Sequence, residues 1–119
     1  MPTSRRFLLP LLAALCAAAL LAFPATGAAA FKTTVVVSLK FPAFHGKLKS
    51  PRAACVEDRQ VKLFRVRSGP DKLLGTDKSE DNGAWSIPIG RRLTSGGYYA
   101  KAVARGNCRA GKSKVNYVD

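Results

Sequence analysis

The chain has few of the residues that catalysis most often requires. Among its 119 residues there is one histidine, and 7 Asp and Glu stand against 20 Lys and Arg. A Ser-His-Asp triad would have to use His45, which falls with Lys47 on the polar face of an alternating segment, and no Gly-x-Ser-x-Gly motif is present. We therefore expect a protein that is not an enzyme, with a small secreted hydrolase or toxin kept as a second alternative.

The scarce carboxylates also disfavour a metal site. Asp77, Glu80, Asp81 and Asn82 lie close enough in sequence to suggest calcium, but the spacing of an EF-hand loop fails because Gly83 comes one place late. There is no Cys-x-x-Cys pair. We expect a solvated acidic loop and no bound metal.

The segment 106–113 satisfies the string Gly-x-x-x-x-Gly-Lys-Ser of a phosphate-binding loop. Such a loop follows a buried parallel strand and opens a helix, whereas a strand is expected to follow here. We interpret the match as chance and expect no cofactor.

The N-terminal segment is typical of a bacterial export signal. Arg5 and Arg6 precede an apolar run over 7–23, and Ala28-Ala29-Ala30 fits the small-x-small cleavage pattern. The run is short for a membrane span, which needs about 20 apolar residues. The sequence therefore predicts a signal peptide over 1–30, cleaved by the general secretory or twin-arginine route, and one secreted or cell-envelope domain over 31–119.

Cleavage would leave an even number of cysteines. Cys16 would leave with the signal, so that Cys55 and Cys108 remain. In an exported domain such a pair predicts a disulfide, the alternatives being two free thiols or two metal ligands. Closing a loop of more than fifty residues is worth about 4 kcal/mol at most in the chain-entropy model. That is a large part of the stability of a domain this small.

The rest of the chain alternates short β-type segments with turn chemistry. Trp85, Ile87 and Ile89 alternate inward, Pro88 indicates a sheet edge, and the segment at 60–67 has apolar residues on both faces, which suggests a bulge. We predict an all-β, immunoglobulin-like antiparallel sandwich with seven strands, at 33–39, 44–49, 60–67, 73–76, 84–89, 98–104 and 113–118.

Ordered motifs over nearly all of 31–119 resemble those of prealbumin-like (transthyretin-like, carboxypeptidase regulatory-like) domains. They are Phe44-x-Gly46-x-Leu48-x-Ser50, Cys55, Arg59-x-Val61-x-Leu63, Asp81-Asn82-Gly83-x-Trp85, Gly97-Tyr98-Tyr99-Ala100, and Cys108 with Ser113. One branch resembling this fold hydrolyses 5-hydroxyisourate with a C-terminal Tyr-Arg-Gly-Ser, which this chain lacks. The resemblance implies a sandwich with a non-catalytic, often accessory or adhesive, use.

Charge gives the main functional prediction. Residues 31–119 hold 18 Lys and Arg against 7 Asp and Glu, a formal charge of +11, which favours anionic polymers or surfaces as partners. A disulfide would bring two basic segments together into one anion-binding patch, formed by Lys49, Arg52, Arg105, Arg109 and Lys112. Tyr98 and Tyr99 could add stacking, although one of them is expected in the core. The alternative is an accessory module that binds a protein, for instance through the edge near Pro88.

Overall fold

The computed structural model describes residues 31–119, which form eight strands and two short 3₁₀ helices. The predicted signal peptide lies outside the described residues. The strands are β1 (Thr34–Lys40), β2 (Ala43–Lys49), β3 (Gln60–Arg65), β4 (Lys72–Lys78), β5 (Ala84–Pro88), β6 (Gly96–Ala102), β7 (Gly111–Lys112) and β8 (Asn116–Val118). The 3₁₀ helices span Ala53–Cys55 and Gly90–Arg92.

The strands form two antiparallel sheets, as in a β-sandwich. The smaller sheet has the order β1-β2-β5, and the larger has β4-β3-β6, with β7 and β8 each pairing with β6. The prediction of an all-β antiparallel fold is thus confirmed. Among residues 31–119, no helix is long and apolar enough to cross a membrane.

The predicted seventh strand, at 113–118, is extended only over β8 at Asn116–Val118, because residues 113–115 are irregular and β7 ends before them at Lys112. The Ser113 hydroxyl accepts the N–H of Ala100 at 2.9 Å and donates to the Lys114 carbonyl at 2.8 Å. A side chain therefore takes the place of a main-chain acceptor in the ladder. The strand ladder is thus interrupted between β7 and β8, and the separate short strand β7 gives the described chain eight strands where the pattern predicted seven.

The core lies between the sheets and follows the predicted alternation. Its buried side chains come from every long strand: Val35, Phe44, Leu48, Val61, Leu63, Leu74, Trp85, Ile87, Tyr98, Ala100 and Ala102, with Ile89 just after β5. Tyr98 is fully buried, lies 5.0 Å from the Phe44 ring between centroids, and donates its hydroxyl to the Thr94 carbonyl at 2.5 Å. The phenol is satisfied inside the core, as a buried hydroxyl must be.

The bulge suggested by the two-sided pattern at 60–67 lies where β3 pairs with β4. The register shifts between Leu63 and Phe64, which pair with Gly75 and Leu73, so that Leu74 has no Cα partner on β3. Leu74 is buried against the core, while Leu73 is 48% exposed. The extra residue belongs to β4 and lets Leu74 face the core, whereas Phe64 faces outward by simple alternation with Leu63 along β3.

The disulfide ties the ends of two loops at one end of the sandwich. Cys55 and Cys108 are bonded with their Cα atoms 5.4 Å apart, which confirms the pairing predicted from the cysteine count. Phe31 forms an isolated bridge with Cys108, so the first described residues are held at the same end.

Candidate functional site

The structure distributes the residues of the predicted basic patch over separate places. Arg52 and Arg105 come together at the disulfide and line a cavity of about 200 Å³ with Asn107. Lys49 lies at a separate cavity of about 270 Å³, which Lys32 also lines. Lys112 lines neither cavity, because it belongs to the larger sheet. The five residues therefore do not share one concave site.

The arginines near the disulfide are largely engaged in holding loops. Arg105 donates to the carbonyls of Asp58 at 2.5 Å, Ala54 at 2.8 Å and Glu57 at 3.1 Å, and its guanidinium lies 4.0 Å from the Asp58 carboxylate. Arg52 lies over the Phe31 ring at 4.9 Å, a cation–π distance. The Arg105 guanidinium thus already donates hydrogen bonds within its own chain, which leaves fewer N–H groups for a ligand.

Arg109 is fixed through its main chain at the same end. Its N–H donates to the Phe31 carbonyl at 2.8 Å, and its carbonyl accepts from Thr33 Oγ1 at 2.7 Å and from Arg59 at 3.0 Å. Its side chain is exposed. The backbone around Arg109 therefore stabilises this end of the fold.

Lys112 belongs to a row of lysines across the outer face of the larger sheet. Lys112 on β7 is the Cα partner of Lys101 on β6, and Lys101 is the partner of Lys62 on β3. In antiparallel pairs, directly opposed side chains on one face have Cβ atoms about 5 Å apart. We call Lys62, Lys101 and Lys112 the lysine row.

The ammonium groups of the lysine row form no ion pair with any carboxylate of the described chain. Within residues 31–119, the ion pairs are those of Lys78 and Arg105 with Asp58. Like charges placed directly opposite each other on a sheet are destabilising. The row therefore concentrates positive charge on this face, although Asp71 interacts electrostatically with Lys112 at its end.

Two aromatic rings lie next to the lysine row. Phe64 and Tyr99 are the next outward pair along β3 and β6, and their rings stack with centroids 5.4 Å apart. The Lys112 ammonium lies 4.3 Å from the centre of the Tyr99 ring. Of the two tyrosines proposed for stacking, Tyr98 is in the core and only Tyr99 is on this face.

Asp71 fixes the orientation of Tyr99. The Tyr99 hydroxyl donates to Asp71 Oδ2 at 2.5 Å, and Asp71 Oδ1 accepts the Arg67 N–H at 3.2 Å. The hydrogen bond to Asp71, with burial, raises the pKa of Tyr99 to about 12. The same hydrogen bond, then the one from Arg67, lowers the pKa of Asp71. Tyr99 is thus a neutral, positioned ring at physiological pH.

Sequence reasoning missed Lys62 and Lys101. Each alternates with buried residues along its own strand, and side chains of a strand point alternately to its two faces. Its outward direction could therefore be predicted from the sequence. Their alignment with Lys112 was not readable, because it depends on which residues of three separate strands pair.

The other segments considered for chemistry have structural surroundings. His45 Nε2 lies 3.5 Å from Ser38 Oγ on the neighbouring strand. Asp77 accepts the N–H groups of Lys78 and Ser86, both at 2.8 Å. Across residues 31–119, no group of three or more His, Cys, Asp or Glu is placed to hold a metal ion. The string at 106–113 runs from a turn into β7 and opens no helix.

Comparison with known proteins identifies no relative: no family model, curated protein or solved structure matches this chain.

Proposed function

We propose that this protein is a non-catalytic binding module that engages an anionic polymer through the lysine row. The observation that carries the proposal is the alignment of Lys62, Lys101 and Lys112 on three adjacent strands, with no ion pair to a carboxylate of the described chain. The formal charge of +11 over residues 31–119 supports it, because a polyanion is attracted to the whole domain and then held locally.

The geometry suits a linear chain of anionic groups. Strands in a sheet lie about 4.8 Å apart, so the three lysines span about 10 Å across the sheet. The stacked Phe64 and Tyr99 rings provide a flat border on one side. Acidic wall polymers, acidic polysaccharides and nucleic acids all present charges and rings on this scale.

We also propose that the domain is exported after removal of residues 1–30 and works outside the cytoplasm. The Cys55–Cys108 disulfide is compatible with this location, because disulfides persist in oxidising compartments. The resemblance to prealbumin-like domains belongs to the same proposal, and accessory or adhesive use agrees with polymer binding.

The test compares two triple charge reversals in the exported, disulfide-bonded protein. The first replaces Lys62, Lys101 and Lys112 with glutamate. The control replaces Lys40, Lys47 and Lys49, exposed residues of the smaller sheet, and changes the net charge equally. Affinity for soluble heparin is measured over a range of salt concentrations, with retention on immobilised wall polymer as a second readout.

We expect the lysine-row variant to bind much more weakly and to flatten the dependence of log K on log salt by about 2 to 3. Each phosphate or sulfate group that the protein no longer neutralises lowers this slope by about one. The control should keep a slope near that of the native protein. Equal weakening in both variants would show that binding follows net charge alone and would refute the assigned surface.

The alternatives predict other outcomes. One saturating protein partner, captured with little sensitivity to salt, would favour an accessory protein-binding module. A hydrolytic activity abolished by His45→Ala would favour the hydrolase alternative.

A further inference from the structure

The four sheet edges in the described chain differ in how they are protected. The edge of β5 carries Pro88, and its Ser86 N–H already donates to the Asp77 carboxylate at 2.8 Å. The β4 edge is interrupted by the bulge at Leu74, and β7 and β8 are only two and three residues long. Prolines, bulges and short strands are the usual devices that prevent an edge from pairing further.

The fourth edge, on β1, has none of these devices. β1 is a regular strand of seven residues with the sequence TVVVSLK, and it pairs only with β2. Within the described chain, Thr34–Lys40 make no backbone hydrogen bond to any other segment. Val36 exposes 43% of its surface. This is a long, apolar and unpaired edge, which other extended chains can recognise.

The main-chain groups that face the open side can be identified. A Cβ atom added at Gly46 of β2 would overlap the Val36 carbonyl oxygen, so that this carbonyl points towards β2. Main-chain groups of successive residues in an antiparallel strand alternate between the two sides. Val35 and Val37 therefore direct their N–H and C=O groups towards the open edge.

A groove runs beside this edge. It has a volume of about 420 Å³ and lies between residues 34–37 of β1 and two lysines, Lys112 and Lys114. Next to the first of these β1 residues, the Thr33 carbonyl packs closely against Gly111 of β7. Half-buried Val37, which lines the groove, also packs against the core. No acidic residue of the described chain lines the groove.

We infer that the β1 edge accepts an extended, acidic segment of a partner protein as an additional strand. Main-chain hydrogen bonds to Val35 and Val37 hold the segment, and carboxylates on its side facing β7 meet Lys112 and Lys114. A second copy of this chain is the poorer occupant, because each copy carries +11 and the pairing would bring like-charged lysines together. This site shares Lys112 with the lysine row but not Lys62 or Lys101, so Lys114 is the residue whose replacement tests it alone.

The test uses the exported, disulfide-bonded protein and a seven-residue peptide that alternates threonine and glutamate, blocked at both ends. Binding is measured by titration calorimetry, and amide hydrogen exchange is followed residue by residue by NMR. We expect saturable binding that slows exchange at Val35 and Val37 but leaves Val36 unchanged. A peptide with glutamine in place of glutamate should bind about threefold to tenfold more weakly.

Two further comparisons test the main-chain hydrogen bonds and the lysine charges separately. Methylating alternate peptide nitrogens removes the donors of one edge and should abolish binding. Lys114→Glu should weaken the glutamate peptide about threefold to tenfold, whereas Lys47→Glu, on β2, should leave it unchanged. Both variants should keep the native salt dependence of heparin binding, which separates failure of this inference from failure of the polymer-binding proposal.

Three results would overturn the inference. The methylated peptide could bind as well as the parent peptide. The glutamate peptide could bind without any change in exchange at Val35 and Val37, which would indicate adsorption to the basic surface. The protein alone could show slower exchange at these two amides as its concentration rises, which would assign the edge to a second copy.

Discussion

Arg59 is a fully buried arginine with no carboxylate partner in the described chain, and its replacement provides the most demanding test of the fold. Its two terminal nitrogens donate to four acceptors: the Thr33 hydroxyl at 3.0 Å and the carbonyls of Cys55 at 2.7 Å, Val103 at 2.8 Å and Arg109 at 3.0 Å. These acceptors belong to four separate segments around the disulfide. One guanidinium therefore connects four segments of the chain at the disulfide end of the sandwich.

The expected magnitude follows from opposing terms. Hydrogen bonds from a charged donor are worth about 1.5–3 kcal/mol each, but burying the ion costs several kcal/mol. Burial, and secondly repulsion from Arg105, lowers the pKa of Arg59, although an arginine stays protonated at neutral pH. We expect Arg59→Met to lower the free energy of unfolding by about 2–4 kcal/mol, because it removes four hydrogen bonds and leaves the Cys55 and Val103 carbonyls without the donor they have in the native protein.

The measurement is urea unfolding of the oxidised protein, followed by the fluorescence of the buried Trp85, together with the midpoint of thermal unfolding. A destabilisation of this size lowers the midpoint by about 10–25 °C in a domain of this length. Arg59→Lys keeps the charge with fewer donors and should be destabilised about half as much. Arg91→Met, at an exposed arginine, is the control and should change stability by less than about 0.5 kcal/mol.

One result would refute the reasoning. Buried ionic groups can be replaced by apolar side chains without loss, and sometimes with a gain in stability. If Arg59→Met were as stable as the native protein, the four hydrogen bonds would only balance the desolvation of the guanidinium. Arg59 would then not stabilise the disulfide end.

Further predictions concern the disulfide, one glycine and one tyrosine. Replacing both disulfide cysteines by serine should lower the free energy of unfolding by up to about 4 kcal/mol, as measured in urea, because the two cysteines are 53 residues apart. Gly46→Ala should be strongly destabilising in thermal unfolding, since its Cβ would overlap the Val36 carbonyl oxygen, whereas Gly69→Ala, in open space, should be neutral. Phenolate absorbance should show one tyrosine, Tyr99, titrating near pH 12, and Asp71→Asn should return it towards pH 10. Because this pKa is raised on folding, its contribution to stability is complete below pH 10 and is lost as pH rises through 12.

The sequence by itself determined the all-β class, the inward faces and the disulfide. Alternation with a period of two is a local property, so the burial of Phe44, Trp85 and Ile87 followed directly from it. The burial of Arg59 was also readable, because it shares a face with Val61 and Leu63. It was missed because arginine is rarely fully buried.

Tertiary structure alone decided how charges from different strands combine. The five predicted anion-binding residues proved to be distributed over the disulfide end, the smaller sheet (Lys49) and the larger sheet (Lys112), and Arg105 was found to hold a loop. The irregular backbone at the start of the predicted strand 113–118 likewise depended on a hydrogen bond between Ser113 and the distant Ala100.

The lysine row shows the same physical limit most clearly. The outward direction of Lys62, Lys101 and Lys112 is local, but their alignment requires the register of β3 with β6 and of β6 with β7. Register is set by long-range packing of the buried faces, and a shift of one residue would turn each lysine to the other side. The sequence therefore determined how much positive charge the domain carries, and the pairing of strands decided where it is concentrated.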